Sequence, residues 1–149
     1  MPNHDVHWRV GAISGGSYAL YMGYGQPAWH VVAETAGGVL GGIAGGVLPD
    51  RIDTPDSPRH RAEAHSMAVT GVAGRFVSQQ LPEWQALLRA HADRFSAKRA
   101  QSKSPLEQFV FWLLEFSCRF LVGLVSGALA GYSSHLVLDF LTPMSLPLI

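Results

Sequence analysis

Residues 120–141 read FLVGLVSGALAGYSSHLVLDFL. The stretch is apolar enough for a buried or membrane helix, yet His135 and Asp139 lie inside it. Four residues apart, the two side chains share one helical face, one turn from each other. Ionisable groups in such a setting are expensive unless something pairs with them, and a metal ion is the usual partner for His plus carboxylate. The same four-residue step runs backward through Gly131, Gly127 and Gly123. Each step drifts by about 40° on a 3.6-residue helix, so these glycines form a slanted ridge against which a second helix can lie.

A matching surface occurs in residues 28–49, AWHVVAETAGGVLGGIAGGVLP, where Gly37, Gly41, Gly45 and Gly38, Gly42, Gly46 make two interleaved rows. Glycine costs about 1 kcal/mol per helical position, so six of them need a packing reason. Close helix–helix approach supplies one, most naturally in lipid, where small residues let backbones touch. The intervening Val39, Leu40, Ile43, Val47 and Leu48 favour a helix over a flexible loop. Glu34 keeps the wholly apolar run short.

The 149 residues predict one domain, 1–149, with a formal charge of zero. Bulk charge therefore implies no nucleic-acid or anionic-surface partner. Charged residues make up 15% of the chain, below the ordinary quarter, and mean hydropathy is +0.14. Cys118 is the only cysteine, which excludes a disulfide framework and a CxxC metal site. The N-terminus lacks the charged, apolar, small-residue order of a cleaved signal.

Between the glycine-rich segments, residues 49–66 (PDRIDTPDSPRHRAEAHS) form the polar centre of the chain. The prolines predict irregular structure to Pro58, followed by a helix to about Gln80. Asp50, Asp53, Asp56, His60 and His65 offer five donors of the kind used by zinc, manganese and iron sites. At the other end, His4 and His7 taken alone read as a solvated N-terminus. Tyr18, Tyr21 and Tyr24 recur every third residue, as on a helix face at a membrane interface or core edge. Residues 81–105 form a basic polar loop or helix, and in a membrane protein that excess predicts a cytoplasmic position. His91 within it reads as a solvated or partly buried helix residue. Glu115 and Arg119 stand four apart, the spacing of an ion pair that would carry both through an apolar face. Residues 106–141 are too long for one membrane crossing, which predicts a bend near Cys118–Gly123 or an interfacial first part.

Three blocks of this sequence carry a resemblance. They are Leu48-Pro49-Asp50 with Asp53; His60-Arg61 with His65-Ser66; and Gly131-Tyr132-Ser133-Ser134-His135 with Asp139, Thr142-Pro143 and Pro147-Leu148. Together they resemble the membrane-bound metal-dependent hydrolases of the LexA-binding, inner-membrane-associated family. The family pattern spaces its two aspartates by two residues rather than three, has Thr at the position of Ala64, and has Gly at that of Ser145. The resemblance implies a divalent metal, zinc or else manganese or iron, held by His7, Asp50, His65, His135 and Asp139. Asp53 and His60 would be alternates or would orient the ligands, and Arg61 would stabilise anionic charge on a substrate. The order of His and Asp ligands is also similar to part of the zinc-dependent phospholipase C and P1-type nuclease pattern, an analogy toward phosphoester chemistry.

The expected fold is an all-α bundle of about four to five helices, embedded in a membrane over 9–25, 28–48, 64–80 and 106–141, with the metal ligands between helices. The expected function is metal-assisted hydrolysis of a lipid-like or phosphate-containing substrate at the inner membrane. The alternative is a non-catalytic glycine-rich scaffold with a structural metal or polar cluster. Membrane lipids are the expected partners, with homo-oligomers formed through the glycine rows.

Overall fold

The computed structural model describes residues 4–52 and 67–141. They form four helices: α1 (His4–Met22), α2 (Ala28–Ile52), α3 (Met67–Gln101) and α4 (Pro105–Phe140). The all-helical bundle agrees with the sequence reading, but three boundaries differ. Helix α2 continues through Pro49, so Asp50 sits on its last turn rather than in a loop. Helix α3 continues through Pro82 to Gln101 and takes in most of the basic segment. A proline removes one helical hydrogen bond and crowds the carbonyl four residues back, a penalty that tertiary packing can offset. Pro49 is fully buried, so packing is available there. Helix α4 is one unbroken run of 36 residues, with no division at Cys118–Gly123. Ser104 caps it by accepting the Glu107 N–H, and Pro105 occupies the first turn, where a missing N–H does no harm. Gly25, at φ 84°, makes the tight turn from α1 to α2.

The glycine rows set the register. A Cβ at Gly37, Gly41 or Gly45 would fall on the carbonyl oxygens of Phe120, Leu124 and Ala128, so α2 and α4 run parallel in backbone contact. From the α4 side, Gly123, Gly127 and Gly131 meet the backbone at Glu34, Gly38 and Gly42. On the other flank of α2, Gly38 and Gly42 face Gly15 and Gly11 of antiparallel α1. Both rows are thus filled by helices of the same chain. Replacing Gly41 or Gly45 with leucine is expected to cost at least about 1–3 kcal/mol, because the new side chain meets backbone that cannot rotate away. Thermal melting checks this, and an unchanged midpoint would show that the contact opens freely.

Polarity is distributed inside out. Ile13, Leu20, Tyr21, Val32, Leu40, Val137 and Phe140 are each more than half exposed, while Glu34, Glu115, Arg119, His135 and Asp139 are buried. Helices α2 (over Ala28–Arg51) and α4 are long and apolar enough to cross a membrane.

Near the α1–α2 turn the buried charges form an ionic layer. The Arg119 guanidinium donates to Asp93 (2.6 Å) and Gln26 (2.7 Å) and lies 3.4 Å from Glu34. Arg89 of α3 grips Glu34 with two nitrogens, at 2.6 and 3.1 Å. Glu115 faces His30 (3.3 Å) and Arg99 (3.4 Å). The expected Glu115–Arg119 pair is therefore replaced by separate long-range partners. Each group finds an opposite charge on another helix, which removes the need for a pair along α4.

Candidate metal centre

The α2–α4 contact has a fixed offset. Glu34 meets Gly123, Gly38 meets Gly127 and Gly42 meets Gly131, each pair 89 positions apart. One step further, Gly46 meets His135: His135 Nδ1 lies 2.6 Å from the Gly46 carbonyl oxygen, again 89 apart. The next step would pair Asp50 with Asp139. Where the glycines end, side chains take over the gap between the helices. Helix α1 closes it from the other side, because its Gly11–Gly42 crossing carries His7 to the level of Gly46.

Four ligand-type side chains consequently converge. The His7 and His135 rings stack with centroids 3.9 Å apart. His7 Nε2 is 3.5 Å from Asp139 Oδ1, and His135 Nε2 is 3.4 Å from Asp139 Oδ2. Asp50 Oδ1 is 3.5 Å from His135 Nε2. A carbonyl oxygen can only accept, so the Gly46 contact puts a proton on His135 Nδ1 and turns Nε2 toward the carboxylates. Backbone carbonyls hold metal-binding imidazoles in this way. The donor set also fits a small divalent ion. Zinc–ligand bonds of about 2.0–2.1 Å in a tetrahedron give ligand–ligand edges of about 3.3–3.4 Å, close to the separations of His135 Nε2 from Asp139 Oδ2 and from Asp50 Oδ1. Potential ligand atoms of His7, His135 and Asp139 all lie within 4.8 Å of one another.

The structure therefore brings together His7, Asp50, His135 and Asp139 from three helices. His7 is 2% exposed, which overturns its reading as a solvated terminal residue. His65, Asp53, His60 and Arg61 lie outside the described residues. The Asp50 side chain, 26% accessible, is the exposed side of an otherwise enclosed group. The Gly46 carbonyl and the ionic layer were not picked out from the sequence. Their signal was present: Arg119 stands one four-residue step before Gly123, and Glu34 one step before Gly38. Compared with protein-family models, curated proteins and solved structures, the chain matches none.

Proposed function

We propose that this chain is a membrane-bound, divalent-metal-dependent hydrolase acting on a lipid-like or phosphate-containing substrate. The observation that carries the reading is the convergence of two imidazoles and the Asp139 carboxylate within 4.8 Å of one another, with the Asp50 carboxylate 3.5 Å from His135. With neutral rings the four groups carry a formal charge of −2, which a divalent ion matches. Zinc suits the mixed nitrogen and oxygen donors, and manganese or iron would also accept them. When bound, such an ion supplies Lewis acidity and an activated water. The chain's own part is to hold the donors. The Gly46 carbonyl fixes the His135 tautomer, Asp139 spans the two imidazoles, and Asp50 stands where a substrate would enter. In this reading His65 adds a further ligand, Asp53 and His60 are alternates or orient the ligands, and Arg61 stabilises anionic charge on a substrate, as the family resemblance implies. Exposed apolar side chains around buried charges support a lipid environment. The inner membrane is what the family resemblance implies, and the basic excess of residues 81–105 places that segment on the cytoplasmic side in this reading.

The burial of His7, His135 and Asp139, each at most 2% exposed, favours a second reading, a scaffold with a closed structural site. Coordination separates the two. The purified protein should carry about one divalent ion per chain and hydrolyse an activated phosphodiester such as bis(p-nitrophenyl) phosphate. X-ray absorption should show a water-type ligand in the shell. Four protein ligands with no turnover would leave the scaffold reading, and no retained metal would end the hydrolase reading and leave a scaffold with a buried polar cluster. A chain that fractionates with cytosol and stays monodisperse without detergent would refute the membrane assignment alone.

A further inference from the structure

Helices α3 and α4 extend past the α1–α2 turn at the end of the bundle remote from His135. His30 of α2 meets Glu115 of α4 at 3.3 Å, so the start of α2 at Ala28 lies near the level of Leu113. The hairpin tip therefore projects beyond the start of α2 by roughly 10 Å, at about 1.5 Å per residue. Its α4 side exposes Leu106 (72%), Phe109 (58%) and Val110 (43%). Its α3 side and turn expose Arg94, Lys98 and Lys103, and the Arg99 side chain is one-third accessible. Residues 94–110 hold four bases and one acid, Glu107, a net +3 in a chain whose total is zero. Lys98 lies over the Phe111 ring, with its ammonium 5.9 Å from the centroid.

We propose that this tip is a docking surface for anionic phospholipid headgroups. Lys98, Lys103 and Arg94 take the phosphates, while Leu106, Phe109 and Val110 enter the acyl boundary. The proposal rests on the membrane part of the function above and is independent of the metal. Charge decides the occupant. A neutral lipid surface would cover the apolar residues but leave the cations without counter-charge. A second copy would bring two +3 tips together. Clusters of Lys and Arg beside apolar helices bind anionic leaflets, each base contributing about a fivefold gain in affinity.

Native mass spectrometry of the full chain in detergent, with added phosphatidylglycerol or phosphatidylcholine, tests this directly. The wild type should retain phosphatidylglycerol at least tenfold in preference, and Lys98→Gln/Lys103→Gln should remove most of that preference without changing the melting temperature. Equal retention of both lipids, or a double variant that keeps the preference, would overturn the proposal. Concentration-dependent dimers lost on Phe109→Ser would assign the tip to a second copy instead. The two readings fail separately. A chain that needs detergent yet shows no lipid preference retains the membrane assignment and loses the tip. One that is monodisperse without detergent, yet floats only with phosphatidylglycerol vesicles through Lys98 and Lys103, does the reverse.

Discussion

Replacing His135 with alanine is expected to lower retained metal from about one divalent ion per chain to background. His135 Nε2 is the common neighbour of both carboxylates, 3.4 Å from Asp139 and 3.5 Å from Asp50. Removing it takes away one donor and leaves two like charges facing each other. The substitution also removes the imidazole's hydrogen bond to the Gly46 carbonyl and leaves a buried cavity, a loss of at least about 1 kcal/mol. A fold-neutral companion is therefore needed. Asp139→Asn keeps the volume but removes the charge that spans His7 and His135, and it too should lose the ion. Asp53→Ala, by contrast, should only weaken binding. Metal analysis after gel filtration, with circular dichroism to verify helical content, reads all three variants. Full metal retention in both His135→Ala and Asp139→Asn would move the centre elsewhere.

The second large effect is on stability. Arg119→Ala is expected to destabilise the fold by about 3–5 kcal/mol, the usual range for removing one partner from a buried ionic group. Arg119 is 3% exposed and serves Glu34, Asp93 and Gln26 at once. Without it, Glu34, itself 1% exposed, keeps the Arg89 guanidinium but loses its second cation. The melting temperature should fall on the order of 10 °C for a chain of this size. Arg119→Lys should also be costly, since a point charge cannot reproduce the planar fork that reaches three acceptors. Asp93→Ala is the contrast. That carboxylate is 67% exposed, so solvent screens its half of the pair and the loss should stay under about 1 kcal/mol. Equal melting of the Arg119 and Asp93 variants would mean that water already reaches the layer.

Much of the architecture was legible because glycine spacing is local. The four-residue rows in 37–46 and 123–131 identified close helix contacts before any partner was known. The same periodicity placed His135 and Asp139 on the contacting face. What the rows could not provide was the offset between the two helices, since it depends on which glycine meets which carbonyl. The offset of 89 gives His135 the Gly46 carbonyl and brings Asp50 level with Asp139. The helical state of Pro49 and Pro82 was hidden for a related reason, because a local penalty was outweighed by packing between distant segments. Glu115 and Arg119 looked like a pair because their spacing allows one, and only the fold shows that α2 and α3 supply better partners. His7 was the hardest case: Asn3, His4, Asp5 and Arg9 make its segment read as polar, and its burial comes from the α1–α2 crossing.

The backbone contacts of α2 also have a mechanical meaning. Where carbonyl oxygens rest directly on glycine Cα atoms, there is no layer of side chains to change rotamer and absorb a shift. Helices α1, α2 and α4 should therefore move as one rigid unit, holding the centre at His135 and the ionic layer at Arg119 a constant distance apart. Helix α3 packs through side chains and is tied across to α2 by Arg89 gripping Glu34. It is thus the compliant element, and any motion that opens the bundle should appear as α3 swinging on residues 102–104 while the other three helices keep step.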